Sequence, residues 1–398
     1  MSIFTNNRKT KVKRNKFNLS HEKKLSINMG YLYPVVCEPV MPNDYFRVNT
    51  EHLIRFHPLV SPLMHRIDAY IHYFFVPNRL VWNEWNNFIS GGEDGKAMPP
   101  FPNIGYTEQN KAHFKTGQLA DYFGIPTYDG TEIITANTGI SALPFRAYQL
   151  IYNEYYRDEN LCDKLPLSVG NVVDTAETNI IMSMRKRAWH KDYFTSALPW
   201  TQKGDEILIP IEVDPVYKDL SIFKDGLGNI QANKTLMSDA VGNLKADTGI
   251  TGRLENIDTM TNGSASINDL RKSIHLQKWL ERNARAGSRI TEFLYEHFGV
   301  ISDDLRLSRP QYLGGGKSNV TISEVLASWG NDTDMPLGNM GGHALSVGNT
   351  NRFKSHFKEH GHIIGIMSVI PQNAYQQGLP KHFTKFDNLT SHSQNLQI

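Results

Sequence analysis

The clearest pattern in the chain is an alternation of two: Ile67, Ala69, Ile71, Tyr73 and Phe75 interleave with Asp68, Tyr70, His72 and Phe74, and the run stops at Pro77-Asn78. That period puts successive side chains on opposite faces, so residues 67–75 are expected to form a β-strand. Shorter apolar-aromatic runs at 31–36 and 45–48 flank Pro39, Pro42, Asn43 and Asp44, which favour turns. Ile207, Ile209, Ile211 and Val213 repeat the alternation, and 363–370 is an apolar run ended by Pro371. Helical spacing is rarer. In 143–156, Leu143, Ala147, Leu150, Ile151 and Tyr155 fall near one face, with Pro144 suited to a first turn. Ser266 to Asp269 has the polar-x-x-acid form of a helix start, followed by Leu270, Ile274, Trp279, Leu280 and Ala284. A second helix is predicted over 288–298, closed by Gly299.

Residues 90–141 are rich in Gly, Pro, Asn and Thr without a long periodic run and predict surface loop with short strands. The window 215–266 has no Trp, one Phe and one Tyr among many glycines, and predicts an exposed excursion that buries little apolar surface. Many short strands, long loops and few helices predict a mainly β fold, a β-sandwich or jelly roll with large insertions.

Composition narrows the classes. The chain has 398 residues, 40% hydrophobic and 21% charged, which is globular rather than disordered. Cys37 and Cys162 are its two cysteines, too few for a disulfide framework or a cysteine zinc site. No apolar stretch is long enough for a membrane-spanning helix, and the first residues lack the apolar core of a secretory signal, so a reducing cytosol is expected. The near-neutral net charge of +2 conceals an asymmetry. Residues 1–24 carry Arg8, Lys9, Lys11, Lys13, Arg14, Lys16, Lys23 and Lys24 against Glu22 alone, leaving 34 cations against 39 anions elsewhere. A basic arm on a mildly acidic body suits polyanion binding, and Arg8, Lys9, Lys11, Lys13, Arg14 and Lys16 are the candidate contacts.

Catalytic and metal chemistry find little support. Gly314-Gly-Gly-Lys317-Ser318 resembles the end of a phosphate-binding loop, but Gln311 stands where that loop needs glycine, and a flexible glycine turn is expected instead. His356, His360 and His362 would share metal-ligand spacing on a helix, but the HExxH order is absent and Gly361 would end the helix. No Gly-x-Ser-x-Gly elbow occurs, so no catalytic residue, metal or cofactor is assigned. The aromatics say more. Residues 73–85 include Phe74, Phe75, Trp82 and Trp85, and Trp189 and Trp200 lie in a second cluster; such rings can form a core, a subunit interface or a stacking platform for bases.

Six blocks carry a resemblance: HYFFVPNRLVWNEWNNF (72–88), LPFRAYQLIYNEYYRDENL (143–161), RAWHKDYFTSALPWTQKG (187–204), the stretch 267–300, RLSRPQYLGGGKSNV (306–320) and FKEHGHIIGIMSVIPQNAYQQGL (357–379). In this order they resemble the major capsid proteins of the microviruses, small single-stranded DNA phages, especially the gokushovirus branch. The resemblance implies an eight-stranded jelly-roll β-sandwich with long interstrand insertions and a few helices. It implies sixty copies in a T=1 icosahedral shell around a circular single-stranded DNA genome, within a virion assembled in the host bacterial cytoplasm. Partners would be the packaged DNA, a DNA pilot or internal scaffolding protein, and a host cell-surface receptor. The expected organisation is a basic arm (1–24), a first jelly-roll part (25–214), a surface protrusion (215–266) and the continued jelly roll (267–398). Family members usually continue through further Tyr- and Trp-rich sequence, whereas residues 388–398 do not resemble them; the chain expressed alone is therefore expected to leave a strand unpaired and to aggregate. A cytosolic single-stranded nucleic-acid-binding module that does not assemble is the rival reading. A carbohydrate-active β-sandwich would need two carboxylates facing each other across a cleft.

Overall fold

The computed structural model describes residues 15–61, 63–127, 139–192, 194–198, 266–287, 289–328, 331–332 and 335–375, with single positions and short backbone strands between 200 and 264 and single positions between 378 and 386. The chain divides into two compact units, one built from Met1–Ala197 and Val300–Ile398, the other from Leu198–Gly299.

The first unit is mainly β. Strands β1 (Tyr33–Val40), β2 (Tyr45–Arg55), β3 (Ile67–Pro77), β4 (Gln311–Asn319), β5 (Thr321–Leu326), β6 (Met340–His356) and β7 (Gly361–Pro371) form two antiparallel sheets. One has the order β1-β7-β3-β4 and the other β5-β6-β2. Between the sheets lie Ile67, Ala69, Ile71, Tyr73 and Phe75 of β3, Ile363, Met367 and Val369 of β7, and Ala344 and Phe353 of β6, with Phe46, Val48 and Ile54 packed beside them. Each of the large aliphatic and Phe side chains fully buried here contributes about 1.5–3 kcal/mol. Register follows from the alternation: Phe75 pairs with Ile363 and Ile71 with Met367, so both strands send the same parity inward.

The opposite face of β3 is buried as well. Phe74 and Val76, with Ile364 and Ile366, pack under helix α1 (Leu143–Ile151) through Leu143, Phe145, Ala147, Tyr148 and Ile151. Pro144 sits in the first turn of α1, and the helix runs on into a π-turn at Tyr152–Tyr156. Helix α2 (Thr175–Ile181) starts at Asp174, whose Oδ1 accepts from Glu177 N at 2.6 Å. The 90–141 stretch has the expected short strands, Asn103–Ile104 pairing with Ile140–Ser141, but it is not all surface: Ile104, Phe114 and Leu119 are buried in this helix-side core. Its Gly and Pro content hid these anchors because three isolated apolar residues make no periodic pattern.

The glycine run is also corrected. Residues 314–318 are not a flexible turn but part of β4, with Gly315 opposite His72 and Lys317 opposite Tyr70. Glycine is required by close approach: a Cβ at 315 would meet the Ile71 carbonyl oxygen and His72 Cα, the latter at 3.0 Å. Gly315→Val is expected to destabilise the fold by about 1–3 kcal/mol in urea unfolding. An unchanged midpoint would contradict the close packing of β4 on β3.

In the second unit, strand Glu212–Pro215 pairs with Thr261–Ser264; the alternation predicted for 207–213 lies partly outside the described residues. Short ladders follow at Phe223–Lys224, Ile230–Gln231 and Arg253–Leu254, and at Leu236–Ser238 with Leu244–Ala246. Helix α3 (Ile267–Ala286) begins at Ser266, whose Oγ accepts from Asn268 N, and α4 (Ile290–Phe298) ends at Gly299 with φ of 65°.

Candidate subunit-contact and nucleic-acid surfaces

The predicted aromatics separate by environment. Phe74, Phe75 and Trp82 are buried. Trp82 donates from Nε1 to Asn171 Oδ1 at 2.6 Å and lies 5.1 Å, centroid to centroid, from both Phe88 and Phe101. Trp85 is half-buried, 6.0 Å from Trp82 and 5.5 Å from His360. Trp189 and Trp200, at 52% and 38% exposure, face outward and are available to a partner.

Local structure explains how Trp189 is presented. Arg187 lies over the Tyr70 ring at 4.4 Å and the Tyr156 ring at 5.5 Å, and donates from Nη1 to Ser368 Oγ at 3.0 Å. That clip pins the segment to β3 and β7. Two residues on, Trp189 projects into solvent. Asp192 then closes the turn, accepting from Thr195 N at 2.8 Å, Asn373 Nδ2 at 2.9 Å and Tyr375 Oη at 2.9 Å. The Asn373 contact and the Thr195 amide hold its carboxyl well below the usual range. Phe194 and Tyr375, both exposed, meet at 4.5 Å. Sequence reasoning missed Arg187; its signal was a cation directly before Ala-Trp-His, which does not reveal the rings it stacks on.

A second missed residue is Arg146, on α1. Its Nε donates to Glu177 Oε1 at 2.8 Å, and its Nη1 to the carbonyls of Val81 at 3.1 Å and Gly170 at 2.9 Å. It is 1% exposed and ties α1, α2 and the turn after β3 together.

In the second unit, α3 and α4 are joined by Arg282 Nε to Glu296 Oε1 at 3.2 Å and by a tilted ring contact of Trp279 with His297 at 5.7 Å. Ile274, Tyr295 and Phe298 remain exposed there. Of the arm, Arg8, Lys9, Lys11, Lys13 and Arg14 lie outside the described residues, as do residues 388–398, and Lys16 is exposed. His356 ends β6 and His362 lies in β7, so the helical spacing considered for the histidines does not arise. Among the described residues no group of three metal-ligating side chains converges, and no helix is long and apolar enough to cross a membrane. Burial pushes the Cys37 thiol up to about 12, which disfavours the thiolate.

Comparison with known proteins gives these surfaces a context. The family described as "Capsid protein (F protein)" matches residues 6–393. Capsid protein VP1 of Chlamydia phage 1 is 33% identical, the alignment covering 94% of this chain and 74% of that protein. Capsid protein VP1 of Bdellovibrio phage phiMH2K is 35% identical over 94% of this chain and 72% of its own length. Capsid protein VP1 of Spiroplasma virus 4 is 28% identical over 92% and 71%. The match over nearly the whole chain is decisive: the chain belongs to the F-protein family of phage capsid proteins, with a structural role in the virion of a small phage.

Proposed function

We propose that copies of this chain close into a T=1 icosahedral shell of sixty around a circular single-stranded DNA genome. The family match across nearly the whole chain carries this reading. Support comes from the sheet order: the first strand lies beside the last, and β1, β2 and β3 alternate between the sheets, as in a chain wrapped into a jelly roll. In this reading the two sheets are the shell wall, an eight-stranded jelly roll in the complete wall. Trp189, Trp200 and the exposed face of α3 and α4 are subunit contacts, since a closed shell needs several distinct surfaces per copy. The 215–266 insertion is the outward protrusion, facing a host receptor or neighbouring copies. A pilot or internal scaffolding protein completes the virion, assembly occurs in the host cytoplasm, and the chain performs no catalysis.

The basic arm binds packaged DNA through phosphates rather than base edges. Six contacts on a single strand give a slope of log K against log salt near about −4. Deleting residues 1–16 is expected to remove most of that slope while leaving the thermal transition in place. Unchanged salt dependence would contradict the role given to the arm.

A further inference from the structure

The two sheets differ on their outer faces. The face of β3 turned from the sandwich is covered by α1, but the outward residues of β2, namely Tyr45, Arg47, Asn49, Glu51, Leu53 and Arg55, are all exposed. Their neighbours on β6 are set by register: His356 opposite Tyr45, Lys354 opposite Arg47, Arg352 opposite Asn49, and Val347 opposite Leu53. His356, Lys354, Arg352 and Val347 are exposed too. Four cations thus share this face with one carboxylate, and none of the four has an acidic partner among the described residues.

The placement of Arg47 directly across from Lys354 is the telling feature. Like charges at directly opposed positions repel and destabilise a strand pair. Arg352 lies two residues from Lys354 on the same face, which adds to the field. A free chain gains nothing from this cluster; a polyanion laid across it removes the repulsion. At the end of the ladder Tyr45, 60% exposed, and His356 offer ring faces beside the cations. Cations interleaved with stackable rings fit a single strand, whose phosphates take the charge and whose bases take the ring.

We infer that the outer face of the β5-β6-β2 sheet, through Arg47, Arg352, Lys354 and Tyr45, is a second nucleic-acid contact, separate from the arm and engaging single-stranded DNA by phosphate pairing and base stacking. This inference rests on the reading of the chain as a DNA-enclosing shell protein and adds to it a fixed site on the folded wall.

The test uses the full chain, an oligothymidylate strand and a salt series. R47Q/R352Q/K354Q is expected to make the salt slope less negative by about 2, at about 0.7 for each phosphate no longer neutralised. Its melting temperature should equal or exceed that of the parent, because the repulsion is gone. Tyr45→Ala should weaken binding on the order of ten-fold at every salt concentration without changing the slope. If the triple variant does not fold, K354Q alone is read, with an expected change of about 0.7. A companion chain with arm residues Arg8, Lys9, Lys11, Lys13, Arg14 and Lys16 changed to Gln separates the two proposals. Residual salt dependence in that chain, abolished by adding the triple substitution, supports the second contact. A triple variant with the parent's slope, while the neutralised arm still lowers it, overturns this inference and leaves the shell reading standing. A triple variant that loses self-association at unchanged slope would assign the face to a second copy and also overturn it.

Discussion

Glu177→Ala is expected to lower the unfolding free energy by about 3–5 kcal/mol, because it strands a buried guanidinium without its counter-charge. Arg146 is 1% exposed and takes its only ionic partner among the described residues from Glu177, at 2.8 Å. Two of its remaining contacts are carbonyl oxygens of Val81 and Gly170, which orient the guanidinium without neutralising it. Against a total stability of about 5–15 kcal/mol, such a loss is enough to depopulate the native state. A double replacement, Arg146→Met with Glu177→Leu, is expected to recover much of the loss, since removing both charges leaves none buried alone. Urea unfolding of the two variants checks this. A single variant within about 1 kcal/mol of the parent would mean water reaches the guanidinium and the site is not dry.

Acidification is expected to produce an effect of comparable size. His72 and His362 are each pushed down to about 4, chiefly by burial, and Arg187 and His190 depress His72 further. Each ring has one hydrogen-bond partner: His72 Nδ1 lies 2.9 Å from Tyr156 Oη, and His362 Nδ1 donates to Asn78 Oδ1 at 2.9 Å, so the depression comes chiefly from burial and not from these bonds. The unfolded chain takes up these protons near pH 6.5 and the folded chain only near 4, so between those values the unfolded state holds more protons and stability rises with pH. The contribution is complete at neutral pH and is lost as pH falls from 6.5 toward 4, on the order of 3 kcal/mol for each histidine. His72→Gln should flatten the dependence in that window. Stability that is flat from pH 7 to 4.5 in the parent would contradict the burial of both rings.

These sites show what the sequence could and could not disclose. The inward parity of β3 was legible because Asp68, Tyr70 and His72 interrupt the apolar set Ile67, Ala69, Ile71, Tyr73 and Phe75, so the period of two survives, and α1, α3 and α4 were legible from their spacing and caps. Strand β4 was not, because Gly315 is required by the proximity of the Ile71 carbonyl, which is remote in sequence. β6 also escaped notice: Gly341, Gly342, Gly348 and Asn349 break any apolar alternation along it, and its pairing with β2 is known only from the fold. For the same reason Trp82 and Trp189 could be flagged as aromatic anchors but not told apart. Burial depends on what α1 and the Arg187 clip bring to them. Arg47 and Lys354 are ordinary surface cations until the register sets them face to face.

Electron microscopy of the material formed when this chain is produced together with the other virion genes tests the central claim most directly. The account predicts closed icosahedral particles of uniform diameter containing single-stranded DNA, with the β1-β7-β3-β4 and β5-β6-β2 sheets traceable in the shell wall. Recovery of the folded chain only as DNA-bound single copies, with no closed particle, would contradict it.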